Sequence, residues 1–337
     1  MRVLVTGGAG FIGSNFVRRW LAGHPDDHVV VYDLLTYAGE RRNLEGVADR
    51  IVFVHGDICD AELAERTLRE ERIDTIVNFA AESHNSLAVI DPGRFFRTNV
   101  IGTQTLLESA RRAGTKRFHH VSTCEVYGDL ALDSTDVFTE ESPYRPRTPY
   151  NASKAAADHA VRAYQETYGL AITISNCSNN YGPYQFPEKV IPLFVTNALD
   201  DRSLPLYASI ANKREWLHVD DHCRAIELVL ERGRIGQTYN VGSGVEKSIE
   251  EIADAVLDLT GKPSSLKTIV PDRPGHDRRY LLDSSQLRRE LGWAPSIEFR
   301  DGIAATVRWY GDHREWWEAT KGRAPVEESA AWAAGPT

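Results

Sequence analysis

The sequence predicts an α/β fold, a doubly wound parallel sheet followed by a smaller mixed α/β C-terminal lobe. Three observations carry this expectation. Short apolar runs alternate with helical stretches through the first half of the chain. The runs are nearly continuous rather than alternating, which marks strands covered on both faces. A glycine-rich turn, TGGAGFIGS, joins the first run to the first helical stretch.

The elements follow in order. RVLVTG is a short apolar run that stops at glycine, and FIGSNFVRRWLAG has helical spacing with a glycine stop. HVVVYD, IVFVHGD, TIVNFAA and FHHVST are further strands, each bounded by polar or turn residues. AELAERTLREE and NVIGTQTLLESARRAG are helices between them, and residues 151–169 form a longer one. AITISNCSNNYG reads as one strand running into a loop. Past residue 183 the texture changes, with proline and aromatics crowded into GPYQFPEKVIPLF. The expected division is therefore a cofactor domain over 1–183, rejoined by 215–245 through QTYNVGS, and a substrate lobe over 184–321. Residues 322–337 are small-residue-rich and are expected to be a loosely ordered tail.

Composition excludes several classes. The chain has 337 residues, 42% apolar and 26% charged, which is ordinary for a globular protein. A net charge of -9 and the lack of a basic stripe argue against nucleic acid and acidic membranes as partners. DRPGHDRRY is a local cluster able to bind a small anion. No apolar leader and no bilayer-length run is visible, so a cytoplasmic location is expected. Cys59, Cys124, Cys177 and Cys223 are scattered, with neither metal-ligand nor disulfide-framework spacing.

In TGGAGFIGS, Gly7, Gly10 and Gly13 lie between a strand and a helix. One glycine there permits the tight turn, one lets backbone N–H groups approach a pyrophosphate, and one lets helix and strand pack closely. Asp33 closes the second strand 20 residues after Gly13. A carboxylate there accepts from a ribose 2′-hydroxyl and repels a 2′-phosphate. This is the Rossmann arrangement, and it favours NAD over NADP. Asp57, in GDI at the end of the third run, has two readings: an adenine contact, or the cap of the helix that follows.

Tyr150 and Lys154 form a Y-x-x-x-K pair at a helix start, so their side chains share a face. An ammonium beside a phenol lowers its pKa, and the phenolate takes a hydroxyl proton while hydride leaves to nicotinamide. With the glycine turn and the Ser122–Thr123 strand end, the set resembles the extended short-chain dehydrogenase/reductase superfamily. Longer motifs sharpen the resemblance. TGGAGFIGSNF, DLLTYAGERRNL, NFAAESH, TNVIGTQTLLE, PYNASKAAADH, CSNNYGPYQFPEK, REWLHVDDHCRAI and RPGHDRRY run in order to about residue 317. The chain is similar to the dTDP-glucose 4,6-dehydratase family of sugar-nucleotide enzymes.

The resemblance implies tightly held NAD, regenerated in each cycle. Its contacts would be Gly7, Gly10, Phe11, Ile12, Gly13, Asp33, Asp57, Ile58, Ala80, Ala81, Thr98, Ser122, Tyr150 and Lys154. It implies that Tyr150 with Lys154 serves oxidation at sugar C4, that Thr123 holds the 4-oxygen and that Glu125 removes the C5 proton. The acid for the departing 6-hydroxyl falls on Cys124, where the family has aspartate. Nucleotide-sugar contacts would come from His84, Ser86, Asn180, Lys189, Arg214, Asn240, Arg273 and His276, a set suited to a pyrophosphate. The implied product is a 4-keto-6-deoxy sugar of the kind used in deoxysugar and antibiotic biosynthesis. A homodimer is also implied, with TNVIGTQTLLESARRAG and SKAAADHAVRAYQETYG pairing into a four-helix interface.

Departures from the family pattern leave the outcome open. A thiol, with a pKa of about 8.5, is protonated at neutral pH but hydrogen-bonds weakly and carries no charge. Cys124 is thus a replacement acid, a filler beside water or Glu125, or a sign of altered chemistry. His84-Asn85-Ser86-Leu87-Ala88 stands where the family reads His-Val-Asp-Arg-Ser, Asn176 stands for an arginine, and Ala208-Ser209-Ile210 for Gly-Asp-Gly. These changes suggest an altered sugar or an altered outcome. The rival within the branch resembles tunicamycin-type 5,6-dehydratases, which leave an exocyclic 5,6-alkene (an exo-glycal), here on an unusual nucleotide sugar or nucleoside. An epimerase or decarboxylase of the same fold needs Tyr150 and the cofactor but not Glu125. A non-catalytic NAD-binding protein needs none of Tyr150, Lys154 and Thr123.

Overall fold

The computed structural model describes residues 1–323, so the tail expected beyond Gly322 lies almost wholly outside the described residues. The first half alternates as foreseen: β1 (Arg2–Thr6), α1 (Phe11–Gly23), β2 (His28–Asp33), β3 (Ile51–His55), α2 (Ala61–Glu70) and β4 (Thr75–Asn78). Next come α3 (Asn85–Ile90) and α4 (Pro92–Phe95), then a wide π-helical turn at Phe96–Gly102 that leads into α5 (Thr103–Ala113). β5 (Arg117–Thr123), α6 (Pro149–Tyr168) and β6 (Ile172–Cys177) complete this half. The second half holds β7 (Asn179–Tyr181), α7 (Val190–Leu199), β8 (Leu204–Tyr207), β9 (Lys213–His218), α8 (Val219–Arg232) and β10 (Thr238–Val241). It ends with β11 (Glu246–Ser248), α9 (Ile249–Thr260), β12 (Lys267–Val270), α10 (Ser285–Leu291), α11 (Phe299–Asp312) and α12 (Arg314–Thr320).

One sheet of seven strands, all parallel, runs β10-β6-β5-β4-β1-β2-β3. Strand β1 shows why its residues form a strand buried on both sides. Val3 and Val5 pack with Phe16, Val17 and Trp20 of α1 and with Ile226 and Leu230 of α8. Leu4, between them, packs on the other face with Leu68 of α2 and Leu106 and Leu107 of α5. The order reverses at β1, which opens a crevice at the carboxyl ends of the strands. The second core lies in the C-terminal lobe. There Phe194, Ile252, Val256, Ile303, Tyr310 and Trp317 bury one another. No described helix is long and apolar enough to cross a membrane.

Two expected boundaries move. AITISNCSNNYG does not run from strand into loop, because after a break at Ser178 the expected loop forms a second short strand, β7. The Ser178 amide makes the last rung to β10, donating to the Val241 carbonyl at 3.1 Å, and β7 then pairs with β9 in a separate three-stranded sheet. The return to the main sheet likewise does not begin at residue 215. β9 stays in the lobe's sheet, and the returning segment is α8, packed on α1, followed by β10 beside β6.

One carboxylate gathers several of the bonds that join that returning segment to the C-terminal part of the chain. Asp221, at the start of α8, accepts from the Ser296 amide (2.9 Å), the Ser296 hydroxyl (2.7 Å) and the Ile297 amide (2.9 Å). These bonds hold its carboxyl below the ordinary value against the opposing effect of burial. We expect Asp221→Asn to lower stability by about 1–3 kcal/mol, because charge-assisted bonds are lost and buried donors stay behind. A depressed folded pKa contributes stability that is complete above the unfolded value of about 3.9 and is lost as pH falls through the folded one. Urea titrations of the two proteins should therefore differ at pH 7 and converge in acid.

Candidate active site

A cavity of about 390 Å³ opens at the carboxyl ends of β1 to β6. Its floor is the glycine turn. Gly7 has a left-handed backbone (φ 65°), and a Cβ there would lie 2.7 Å from the Ala80 amide nitrogen at the end of β4. A Cβ on Gly13 would meet the Gly7 carbonyl oxygen at 2.3 Å. Helix α1 starts at Gly10 with no side-chain cap and no acidic residue in its first turn, which leaves an electropositive helix end facing the cavity. Asp33 accepts from the amides of Ala9 (2.9 Å) and Leu35 (2.8 Å), so its carboxyl is fixed beside the turn. The cap reading of Asp57 does not hold. Asp60 caps α2 by accepting from the Leu63 amide, whereas Asp57 accepts from the Cys59 amide and lines the cavity. Phe11, Ile12, Ile58, Ala80, Ala81, Thr98 and Ser122 line it as well. Thr98 gets there through the wide turn before α5, which is pinned by Asn99. That side chain accepts from the Glu82 amide (2.8 Å) and donates to the Glu82 carbonyl (3.0 Å) and the Ser153 hydroxyl (2.9 Å).

The other end of the cavity is built on α6. Thr148 caps the helix by accepting from the Asn151 amide, and Pro149 opens it, so Tyr150 and Lys154 fall one turn apart on the buried face. The Lys154 ammonium donates to the Val121 carbonyl (2.8 Å) and lies 3.4 Å from His120 Nε2. Asp158, one turn further on, sits 3.5 Å from His120 and accepts from Ser122 (2.9 Å) and Tyr144 (2.8 Å). Burial pulls the Lys154 pKa down, and Asp158 opposes this. The Tyr150 phenol is not held low as the sequence reading expected. Burial first, and then the charge of Glu125, push it well above its ordinary value, while hydrogen bonding with Thr123 works the other way.

Thr123 ends β5 and caps a short 3-10 turn over Cys124–Tyr127. That turn sends two neighbouring residues in opposite directions. Glu125 lines the cavity with Tyr150 and Thr123. Cys124 is 1% exposed and packs with Val126, Tyr127, Phe138, Tyr280 and Leu282. Its thiol is driven far above the ordinary range by burial and stays neutral. The Glu125 carboxyl is raised by burial and by Asp277, against the lowering effect of Arg273, Arg214 and Lys189.

The expected substrate contacts divide. Asn180 and Lys189 line the cavity, and the Lys189 ammonium donates to the Ser83 carbonyl at 2.8 Å. Arg214 and Arg273 reach Glu125 and His276 electrostatically, and one terminal nitrogen of Arg273 is buried without a protein partner. His276 hydrogen-bonds Ser209 (3.1 Å) and packs edge-on against Tyr207. His84 and Ser86 are buried behind the wall, with His84 3.5 Å from Glu188. Asn240 is misplaced by the sequence reading. It is fully buried, accepts from the Tyr127 hydroxyl (2.8 Å) and donates to the Phe138 carbonyl (3.0 Å), so none of it is left for a substrate. Asn176 is likewise a core residue that donates to Tyr127 (2.8 Å) and Tyr144 (3.3 Å), not a group beside a sugar. Leu87 and Ala88 pack with Phe95 and Tyr150. Of the departures from the family pattern in 84–88, Asn85 alone lines the cavity.

The sequence reading missed Glu82, Cys177 and Glu188 on the wall. Glu82 pairs with Arg94 at 2.8 Å, and Glu188 accepts from the Tyr37 hydroxyl at 2.7 Å. The Cys177 thiol donates to the Ser122 carbonyl at 3.4 Å and is pushed up to about 12. Glu188 could have been found from its place beside Lys189 in PEK. Cys177 gave no signal, because only strand register puts it opposite Thr123.

This sheet, with a dinucleotide turn at its switch point and a Tyr–Lys pair on the helix after β5, defines an enzyme of the extended short-chain dehydrogenase/reductase class. A family model described as GDP-mannose 4,6 dehydratase matches residues 4–306. The dTDP-glucose 4,6-dehydratase of Mycobacterium tuberculosis H37Rv is 51% identical over 322 residues, covering 95% of this chain and 96% of that one. DesIV, a dTDP-glucose 4,6-dehydratase of Streptomyces venezuelae solved with NAD bound, superposes with a TM-score of 0.92 at 54% identity, over 95% of this chain and all of that one. The NAD complex of Thermus thermophilus UDP-glucose 4-epimerase gives 0.86 at 34% identity, over 93% of this chain and all of that one. The chain belongs to the dTDP-glucose 4,6-dehydratase family.

Asp158 is the anion nearest to hand for the buried lysine. In Asp158→Asn, the Lys154 ammonium loses that support, and its pKa should fall further. Titration of 15N-labelled lysine side chains by NMR, with Lys154→Met as the assignment control, should show one resonance shifting to a lower midpoint.

Proposed function

We propose that this protein is an NAD-dependent hydro-lyase that dehydrates a nucleotide-linked hexose across C5–C6, with dTDP-glucose as the substrate its relatives point to. The observation that carries this reading is the presence of Glu125 on the same wall as Tyr150 and Thr123. An epimerase needs no carboxyl there, and a non-catalytic protein needs none of the three.

The residues present suit the dinucleotide. The glycine turn leaves room that any side chain would fill, the α1 end offers amides, and Asp33 keeps a fixed carboxyl at the end of β2. NAD when bound supplies the hydride acceptor for oxidation at C4 and the hydride that later returns. Tyr150 takes the C4-hydroxyl proton, and Thr123 orients that oxygen. Lys154, rigidly held one turn further along α6, favours the phenolate that results. Glu125 removes the C5 proton, which the adjacent ketone has made acidic. Lys189 lines the cavity, Arg214 and Arg273 act on the Glu125 carboxyl electrostatically, and the unpartnered Arg273 nitrogen suits a diphosphate oxygen.

We also propose a homodimer through α5 and α6. Phe96, Ile101 and Tyr168, on or beside these helices, are 42%, 55% and 55% exposed, and a second copy would cover them. A cytoplasmic site fits four cysteines that are all free.

The test is proton NMR in deuterated water, with purified protein and dTDP-glucose. A new C6 methyl with deuterium at C5 is the expected outcome, whereas exocyclic vinyl signals would establish the 5,6-alkene instead. Tyr150→Phe should lower kcat by about 10²–10⁴-fold, the range for loss of a positioned acid–base group. NAD affinity, measured by calorimetry, should stay within a few-fold of the wild type.

A further inference from the structure

Elimination of water makes two proton demands, a base for C5 and an acid for the departing C6 oxygen. The carboxyl side chains on the described cavity wall are those of Asp33, Asp57, Glu82, Glu125 and Glu188. Asp33 and Asp57 lie at the glycine-turn end, Glu82 is paired with Arg94, and Glu188 holds the Tyr37 hydroxyl. Only Glu125 lies beside Tyr150 and Thr123 without such a partner. Cys124, next to it in sequence, is turned into the apolar cluster around Tyr280.

The neighbour that Glu125 does have is Asn85, the first residue of α3. Its Nδ2 donates to Glu125 Oε2 at 3.4 Å, and its Oδ1 is buried without a protein partner. Both residues line the same cavity. Resting on the dehydratase reading above, we propose that Asn85 is a positioning residue for Glu125, and that this one carboxyl serves both ends of the elimination while Cys124 only packs the core.

The step balances on one group. Glu125 as carboxylate takes the C5 proton, and the C5–H electron pair becomes the C5=C6 π bond. The C6–O bond breaks, and its oxygen receives the same proton from Glu125 and leaves as water. Glu125 ends the step as carboxylate. Asn85 fixes one carboxylate oxygen, so the other is free to travel between C5 and the C6 oxygen. The orphaned Asn85 Oδ1 is an acceptor of the kind a sugar hydroxyl satisfies. Asp277, Arg273, Arg214 and Lys189 act on Glu125, as do the Tyr150 and Tyr280 phenols and the Cys177 and Cys124 thiols, the last within electrostatic reach although it lies off the cavity wall. Their balance leaves the carboxyl above its ordinary value, which suits a group that must hold a proton and give it back.

The experiment compares Asn85→Ala, Asn85→Gln and Cys124→Ala with the wild type on dTDP-glucose. Asn85→Ala should lower kcat at least about tenfold with KM little changed, and Asn85→Gln should recover part of the loss. Losing the amide donor destabilises the charged carboxylate, so the acid limb of kcat/KM should move to higher pH in Asn85→Ala. Cys124→Ala should lower kcat by no more than about threefold, with an unmoved pH profile. The proposal is overturned if Cys124→Ala loses about a hundredfold or more while Asn85→Ala keeps wild-type rates and pH dependence. Carbon-13 NMR of δ-labelled glutamate, assigned with Glu125→Gln, reads the pairing without turnover. An unmoved Glu125 midpoint in Asn85→Ala sinks the positioning role. A wild type inert toward dTDP-glucose overturns the substrate assignment, and the titration still decides whether Asn85 holds Glu125.

Discussion

A lysine ammonium buried in a protein interior governs much of this architecture. Lys154 is only 4% exposed. Stripping water from such an ion costs several kcal/mol even after the surroundings relax, and only well-aimed partners offset it. Three partners come from two elements. β5 gives the Val121 carbonyl and the His120 ring, and α6 gives Asp158. Asp158 is held by Ser122 and Tyr144, and Tyr144 receives bonds from Arg162 and Asn176. A shift of any strand in this group would leave a charge without its counterpart. Tyr150, one turn before Lys154, inherits that rigidity.

Much of the fold could be read from the chain because its signals are local. The both-faces-buried strands, the glycine turn and the Tyr–Lys spacing each depend on a few neighbouring residues. The cofactor end of the cavity was legible for the same reason. What failed was long-range. The split at Ser178 depends on β10 arriving from some 60 residues later, and nothing inside AITISNCSNNYG announces it. Asn240 matched a binding position by motif, yet two partners from distant segments consume it. Asn176 looked like a lost sugar contact and is a bridge between two phenols.

The Cys124–Glu125 pair shows how fine that limit is. Both residues follow the end of β5, in the first turn of the short 3-10 segment, where successive side chains leave the backbone in different directions. Which of them faces the core is set by the short turn that Thr123 caps, and by the apolar room behind it that Tyr127, Phe138 and Tyr280 enclose. A thiol fits that room without a hydrogen bond, whereas a carboxylate there would be a buried charge in want of a partner. The residue type at position 124 and its direction are thus mutually consistent.

The position of β10 also bears on how the molecule is made. Strands β1 to β6 leave the ribosome first, but the outer edge of β6 is closed only after β7, α7, β8, β9 and α8 have followed. Until then a nascent chain carries a row of unpaired peptide groups along the β6 edge, the kind of surface that recruits other chains. Completion of the nucleotide-binding sheet is therefore coupled to synthesis of the lobe that it serves.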